Sequence, residues 1–388
     1  MKFVFSMTLA LALLASAPAL AEDIDVMTQN QYLGANLNDI INAPDLPAFN
    51  EAVLVALGQI ADNDFPARAT QLAELIAGRL PDLVGLQEVF AFACFPIAPP
   101  FTGCDDFAGA FNDHLPLTLA ALEALGESYT VAAIVENLDI QIPADTDGNG
   151  TFDILVTVLD RDVILAEADV TNVMPVDYSA FCPMRESVDG CNYFIVAVAD
   201  TALGEIRQER GWVGVDATID GKDYRFVNTH LEVQRPDGSV QSSLIQAFQA
   251  AELIGVLGAS TPPNKSLIVV GDINSSSEDP IIPGPWPPPF DQSGIIPPYT
   301  QFVGSGYTDA WDGAPDDLPG FSCCQDDDLL NHQSDLVERI DVIFSIEVWN
   351  KVKKARVLGA KVSDKTAPPD EGGLWPSDHG SVAAELQF

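Results

Sequence analysis

Positive charge is scarce in this sequence. Its 388 residues hold 18 Lys and Arg against 57 Asp and Glu, a formal net charge of −39. Binding to a phosphate backbone rests on Lys and Arg displacing counterions, so this balance disfavours long duplex DNA as a partner. The acids are spread along the whole chain, which suits a solvated surface kept soluble in a salty medium. Histidine is scarce too: His114, His230, His332 and His379 are the four in the chain. Any of them set beside carboxylates is therefore a candidate for proton transfer near neutral pH. Long apolar runs are missing beyond the N-terminus. None reaches ~18 uninterrupted residues, so no spanning helix is expected in the mature chain. Neither an internal repeat nor a linker divides residues 22–388, which are expected to form a single domain.

The N-terminus reads differently. Lys2 supplies a positive start, Met7 to Leu14 are mostly apolar, and Ala19-Leu20-Ala21 makes a small-x-small cleavage site. Residues 1–21 are expected to be a signal peptide cut before Glu22, giving a soluble, secreted or periplasmic protein. Six cysteines in an exported chain suggest disulfides. Cys94 with Cys104 and Cys182 with Cys191 are close enough in sequence to staple loops. Cys323 and Cys324 are neighbours and are paired as the third bridge, although adjacent Cα atoms sit only ~3.8 Å apart.

Alternation in "EDIDVMTQN" predicts a strand ending near Asn30. Leu72, Leu75, Ile76 and Leu80 predict a helix stopped by Pro81-Asp82, with "LVGLQEV" as the buried strand after it. Residues 90–114 read as a loop pinned by Cys94 and Cys104. "ILVTVL" reads as a strand. "GWVGVDATIDGKDYRFVNTHLEV" reads as two strands joined by a tight Asp-Gly-Lys turn. Leu244, Phe248, Ala251 and Gly255 mark a helix face. "KSLIVVGDINSS", "ERIDVIF" and "GSVAAELQF" supply further strands, and residues 280–298 a proline-rich surface loop. Strands alternating with helices and hairpins predict a mixed α/β sheet fold.

Several strands end in a polar residue that a strand end does not require: Asn30, Glu88, His230, Asp272 with Asn274, Asp341, and Asp378 with His379. Each alone has a plain reading. Glu88 suits a surface carboxylate, Asp272 a turn after Gly271, His230 a satisfied core histidine. Together they suit one shared site, because buried polar groups need partners. The chemistry that uses such a set is phosphoester hydrolysis. A hard cation such as Mg²⁺ takes one or two carboxylates plus waters and substrate oxygens. Glu88 is the leading ligand, with Asn30 and Asp378 as helpers. His379 is the candidate base that deprotonates water, and Asp341 the carboxylate that fixes its tautomer. Asp272 and Asn274, two apart, share one side of an extended strand end and would hold the water and a phosphoryl oxygen. His230 would donate to the phosphoryl group or leaving oxygen.

The stretches "MTQN", "GLQEV", "VNTHLE", "VVGDINSS", "ERIDVIF" and "PSDHGSVAAEL" together resemble the endonuclease/exonuclease/phosphatase superfamily. That superfamily includes DNase I-like nucleases, abasic endonucleases, bacterial sphingomyelinases and inositol phosphatases. The stretches occur in the family's order from about residue 24 to the end. The resemblance implies a two-sheet mixed β-sandwich flanked by helices, a DNase I-like four-layer fold. It also implies a site at one rim and dependence on Mg²⁺ or Mn²⁺, and it carries over Asn30, Glu88, His230, Asp272, Asn274, Asp341, Asp378 and His379. The sequence departs from the pattern in Gln31-Tyr32 after Asn30. It also shows no clear counterpart of the tyrosine or arginine that family nucleases use on phosphate; Arg161, Arg207 and Arg210 are the candidates.

"DTDGNGTFD" stands apart. Asp145, Asp147 and Asn149 at alternate positions followed by Gly150 mimic the start of a Ca²⁺ loop, with Asp153 in place of a later ligand. Val156 stands where an EF-hand needs Glu, and an Asp/Asn/Gly turn is the plainer reading. Asp326-Asp327-Asp328 reads as a solvated loop, and His114 and His332 as structural or exposed. The expected function is a secreted, metal-dependent phosphodiesterase or phosphatase. The alternatives are an extracellular nuclease, a sphingomyelinase or phospholipase C-type enzyme, or a non-catalytic binding module on the same fold. The proline loop around Trp286 admits a membrane surface as partner, and no protein partner is implied.

Overall fold

The computed structural model describes residues 23–99, 101–182, 189–234, 240–286, 288, 293–314, 319–346 and 351–388. The expected signal peptide, residues 1–21, lies outside the described residues.

Two seven-stranded sheets face each other. The first runs β15 (Lys351–Leu358), β16 (Ser381–Gln387), β1 (Asp23–Asn30), β2 (Leu83–Gln87), β5 (Ile154–Glu167) and β3 (Ala91–Pro96), with β4 (Tyr129–Ala144) also paired to β5. The second runs β13 (Thr308–Asp309), β14 (Asp341–Ser345), β12 (Ser266–Asp272), β11 (Lys222–His230), β10 (Gly211–Ile219) and β6 (Thr171–Pro175), with β7 (Cys191–Asn192) on β10. A hairpin of β8 (Ala197–Thr201) and β9 (Gly204–Gln208) joins neither sheet. The helices are α1 (Asn38–Ile41), α2 (Leu46–Asp62), α3 (Phe65–Ala77), α4 (His114–Leu125), α5 (Val240–Ser260) and α6 (Pro298–Gly304).

Alternation assigns each strand's side chains to two buried layers. Ile24, Val26, Ile268 and Val270 meet in the core between the sheets. Met27 and Val84 turn outward to Ala73 and Ile76 of α3. Val227 and Val269 turn outward to Leu253 and Leu257 of α5. Strands covered on both faces read as continuous apolar runs, which is why "LIVV" needs no polar alternation. The expected mixed α/β sandwich with flanking helices is therefore what the chain forms. At the sheet–sheet contact only a glycine fits position 85: a Cβ there would lie 2.6 Å from Val270 Cγ2 and 2.7 Å from Asn228 Oδ1.

The hairpin after β10 turns on Asp220 and Gly221, both at positive φ (51° and 87°), the pairing a two-residue turn of this hand demands. Cys94–Cys104 and Cys182–Cys191 lie with Cα atoms 5.8 and 5.7 Å apart as bonded pairs, and Cys323–Cys324 is the third.

Three expectations need correction, and one strand was missed. Residues 90–114 are not simply a loop, since β3 pairs along β5 from Ala91 to Pro96. The strand β4 was not foreseen because register shifts at Val131/Ala133 and Glu136/Leu138 break its alternation. Leu80 lies beyond α3, exposed and left-handed. The buried face of α5 carries Ile245, Ala250, Leu253 and Leu257 rather than Leu244, Phe248, Ala251 and Gly255. Leu244 and Phe248 instead pack, with Trp286 of the proline-rich loop, against Ala247 and Ile295, so α5 has two partly covered faces and a blurred pattern. Trp286 Nε1 donates to Ile282 O at 3.0 Å, which turns the ring into its own loop.

Candidate active site

Strand pairing alone assembles the rim. In the second sheet His230 pairs with Asp272, and Asp272 with Asp341, so three of the candidate residues stand in one row. In the first sheet Asn30 pairs with Gln87, which sets Glu88 beside it. Asp378 and His379 immediately precede β16. A buried amide bridge holds the two sheets in step just beneath: Gln87 Nε2 donates to Asn228 Oδ1 at 2.6 Å, and Asn228 Nδ2 to Leu86 O at 2.8 Å. Tyr32, Glu88 and Asn274 all take left-handed φ (58°, 53° and 48°), a conformation uncommon outside glycine that concentrates at functional sites.

His379 Nδ1 lies 2.8 Å from Asp341 Oδ2, and its Nε2 lies 3.7 Å from Asp272 Oδ2. Ser377 Oγ accepts from the His379 N–H at 3.1 Å and donates to Asn30 O at 2.7 Å, tying this turn to the end of β1. His230 Nε2 faces the same Asp272 oxygen at 3.5 Å. Asn274 donates its backbone N–H to Asp272 Oδ1 at 2.9 Å, and its Nδ2 lies 3.2 Å from His230 Nε2. His379, Asp272, His230 and Asn274 line a cleft of about 520 Å³ with Glu88, Arg210 and Asp378.

Burial pushes the Asp272 carboxyl up to about 7, Asp341 adds to the rise, and His379 opposes it. Burial also raises Asp378 to about 7, opposed by His379 and reinforced by Glu88. For His379 burial disfavours the cation, but Asp341, Asp378 and Asp272 outweigh it and hold the imidazole well above its usual range. His230 is driven the other way by burial, Arg210 and His379, and stays neutral. The rim thus carries more carboxylate than its own cations neutralise.

Sequence reasoning left the phosphate-binding cation open. Arg210 settles which of the three arginines reaches the cleft. Its Nη1 lies 2.9 Å from His230 Nδ1 and 3.5 Å from Asp160 Oδ2. Guanidinium only donates, so Nδ1 is the accepting atom of this pair, while Nε2 faces the Asn274 amide and the Asp272 carboxylate. Arg161 is instead bonded to Val89 O and Asp113, and Arg207 is exposed beside Glu209. The Tyr32 hydroxyl donates to Asp327 O at 2.9 Å.

Three other features were missed. Asp160 and Asp162 alternate on β5 and are buried on its inner face, where burial pushes Asp160 up to about 7 and Asp162 well above the usual range. The Asp-Arg-Asp spacing was the available signal. Fully buried Arg68 donates to Gln31 O (2.9 Å), Pro376 O (3.1 Å), Tyr32 O (3.2 Å) and Asn63 O (2.8 Å), bracing the two loops that carry Asn30 and Asp378. Nothing in its local sequence marks it. Cys324 Sγ lies 4.0 Å from His379 Nε2, so the third cysteine pair forms part of the cleft wall.

The loop 145–153 is not brought to this site. Its Asp145 accepts from Gly148 N and Gly150 N, Asp147 from Asn149 N, and Asp153 from Thr146 N and Oγ1. His114 is buried and stacked on Phe65 at 3.4 Å between ring centroids.

No family model matches the sequence, and no curated protein matches it. Solved structures do match. An endonuclease/exonuclease/phosphatase from Beutenbergia cavernae DSM 12333 aligns at TM-score 0.50 and 18% identity over 95% of this chain and 72% of that one. An endonuclease/exonuclease/phosphatase family protein from Bacteroides thetaiotaomicron aligns at 0.46 and 17% over 95% and 99%. Truncated TDP2 from Caenorhabditis elegans aligns at 0.44 and 14% over 94% and 98%. This chain has the DNase I-like fold of the endonuclease/exonuclease/phosphatase structures.

A divalent cation fits the donor set. Glu88 and Asp378 offer hard carboxylate oxygens where negative charge is in excess. Asn30 fits less directly. Its Oδ1 accepts the Tyr32 N–H at 2.9 Å, while its Nδ2 reaches Glu88 Oε1 (3.3 Å) and Asp272 Oδ2 (3.1 Å). It braces two carboxylates rather than presenting a free oxygen.

Proposed function

We propose that this protein is an exported, metal-dependent phosphoester hydrolase in which His379 deprotonates the attacking water. The observation that carries the reading is the His379–Asp341 pair at 2.8 Å with Nε2 turned into the cleft toward Asp272. Asp341 keeps one proton on Nδ1; because the carboxylates hold His379 well above its usual range, Nε2 takes a proton from water only where that carboxylate charge is offset or the pH exceeds the raised value. Asp272 and Asn274 hold that water and a phosphoryl oxygen. Water attacks phosphorus, its proton passes to His379 Nε2, and the ester oxygen leaves on the opposite side. His230 donates from Nε2 to the phosphoryl group. Arg210 keeps it in that tautomer and supplies positive charge.

Glu88 and Asp378 are the residues that would hold Mg²⁺ or Mn²⁺, with Asn30 positioning Glu88. The ion would neutralise the carboxylate excess and stabilise charge on the phosphoryl oxygens. Arg210 is the one Lys or Arg among the described cleft-lining residues. One cation suits a single phosphoryl group better than a polyanionic duplex, in keeping with the charge of −39. Cysteine pairs at bonding distance support export by residues 1–21 into an oxidising compartment.

A hydrolysis panel with Mg²⁺ tests this reading: plasmid DNA, RNA, sphingomyelin, an inositol phosphate and bis-p-nitrophenyl phosphate, each repeated in excess chelator. Turnover of a small phosphoester that stops with chelator is expected. A folded protein inert on every substrate would overturn it and favour a binding module.

A further inference from the structure

Two of the three cysteine pairs close loops, joining residues 10 and 9 apart in the chain. Such bridges stabilise a fold by restricting the unfolded chain. Cys323–Cys324 joins neighbours and closes no loop, so it brings no such benefit. Its place is what sets it apart. Both cysteines line the cleft beside His379, and Cys324 Sγ lies 4.0 Å from His379 Nε2. The two sulfurs and a ring nitrogen of His379 stand within 4.8 Å of one another. Nε2 is the nitrogen that can serve, because Asp341 holds Nδ1 at 2.8 Å.

Backbone hydrogen bonds hold this arrangement independently of the sulfur–sulfur bond. Before the pair, Ser322 O accepts from Gly380 N at 2.8 Å, and Ser322 Oγ accepts from Asp341 N at 3.1 Å. At the pair, Cys323 N donates to Glu338 O at 3.0 Å and Cys323 O accepts from Glu338 N at 3.1 Å. After it, Gln325 N donates to Asp378 O at 2.8 Å. Residues 322–325 are therefore tied both to the turn that carries His379 and to the start of β14 that carries Asp341. Opening the bond leaves the two sulfurs beside the imidazole.

Two thiolates and an imidazole differ in kind from the carboxylate oxygens of Glu88 and Asp378. Sulfur and nitrogen donors select Zn²⁺, whereas oxygen donors select Mg²⁺. With Zn–S near ~2.3 Å and Zn–N near ~2.0 Å, sulfur and nitrogen on one tetrahedral zinc stand about 3.6 Å apart, so the spacing here needs a shift of only a few tenths of an ångström. A water completes the four ligands.

Resting on the hydrolase reading above for its effect on turnover, we infer that Cys323, Cys324 and His379 form a zinc site that is closed while the cysteines are bonded and opens on reduction. Zn²⁺ bound there takes Nε2 and removes the base. In the opening step an external thiolate attacks one sulfur, and a second thiol of the reductant resolves the mixed disulfide. Two thiols remain on the protein and the reductant leaves as its own disulfide. Zn²⁺ then displaces both thiol protons to solvent. In an oxidising compartment the bond keeps the site shut and the base available.

The test compares wild type with Cys323→Ser/Cys324→Ser, each oxidised or reduced with dithiothreitol and then desalted without oxygen. The other two pairs are reduced in both proteins, so the difference isolates this one. Cd²⁺ is titrated as a zinc surrogate, followed by the ultraviolet thiolate-to-cadmium absorption. Reduced wild type should bind one more Cd²⁺ than the reduced double variant, and His379→Ala should weaken that binding by about tenfold or more. With saturating Mg²⁺, reduction should lower the Zn²⁺ concentration that halves wild-type turnover on the order of 10²-fold. The double variant, measured against its own zinc-free rate, should show no such change. Equal cadmium binding in the two reduced proteins overturns the site, whether or not either hydrolyses an ester. Extra cadmium without zinc inhibition overturns the hold on His379. Proteins inert on every ester that still differ by one Cd²⁺ would support the site and sink the hydrolase reading instead. If reduction unfolds the chain, unreduced Cys323→Ser decides: it keeps the outer bridges and leaves the Cys324 thiol beside His379. A cadmium band that the double variant lacks supports the site, and its absence overturns it.

Discussion

Two acidic regions of this molecule look alike in sequence and differ in what surrounds them. In 145–153 the carboxylates turn back on their own loop. Asp145 takes two backbone amides, and both Asp153 oxygens take Thr146. At the rim, Asp272, Asp341 and Asp378 come from three distant segments, and burial leaves Asp272 and Asp378 raised to about 7. Short spacing lets Asp and Asn satisfy neighbouring amides, which builds a turn. Convergence from separate strands leaves carboxylates facing one another and a histidine, a local excess of charge that a cation relieves.

The largest effect should come from the rim's proton-transfer pair. His379→Ala is expected to lower turnover by about 10²–10⁴-fold with little change in melting temperature. Asp341→Asn should give a loss of the same kind. The double variant should lose little more than His379→Ala, because residues acting as one unit are not additive. A folded His379→Ala protein with wild-type turnover would reduce the rim to the same structural status as the loop.

Stability should separate the regions as pH changes. Asp272 and Asp378 have folded pKa values near 7 against an ordinary 3.8, and His379 is also raised. Raised groups bind protons more tightly in the folded state, so their contribution is full below the unfolded value and lost as pH rises through the folded one. Without metal, the melting temperature should therefore fall between about pH 4 and 7, and Mg²⁺ should restore it at the upper end. Asp272→Asn should flatten that slope, and Asp147→Asn should leave it unchanged. Thermal scans in buffers of equal ionic strength check this.

The loop has its own support. The ladder brings Cys94 opposite Val156, and a Cβ on Gly103 would sit 2.8 Å from Thr146 Oγ1, so the Cys94–Cys104 loop packs on 145–153. Cys94→Ser with Cys104→Ser should cost about 2–3 kcal/mol in denaturant unfolding, by the chain-entropy model for a loop of that length, with turnover of the folded fraction intact. Asp145→Asn should cost least, about 1 kcal/mol, since one accepted hydrogen bond is weakened. A much larger activity loss from either change would tie the loop to the site after all.

How much of this was legible beforehand follows the same division. The six stretches ending in Asn30, Glu88, His230, Asp272/Asn274, Asp341 and Asp378/His379 could be read because strand registers deliver strand ends to one rim. A residue's place on a strand is a local property. Arg68 could not be read: its four carbonyl partners are scattered across the fold. Nor could the buried face of α5, where two coverings blur one periodicity, or the hidden turn of Asn30, whose amide orientation is set by the backbone of Tyr32. The meeting of Cys324 with His379 depends on two segments being adjacent in space, which no window of sequence contains.

The most direct measurement is a metal titration of phosphodiester turnover in four proteins side by side: wild type, Glu88→Gln, Asp145→Asn and Asp147→Asn, starting from chelator-treated protein whose fold is checked by circular dichroism. The account predicts no turnover without metal, recovery with Mg²⁺ or Mn²⁺ at the same half-activating concentration in wild type and both loop variants, and failure to recover in Glu88→Gln. Full turnover in excess chelator, or a Glu88→Gln protein that activates like wild type while the loop variants do not, would contradict it.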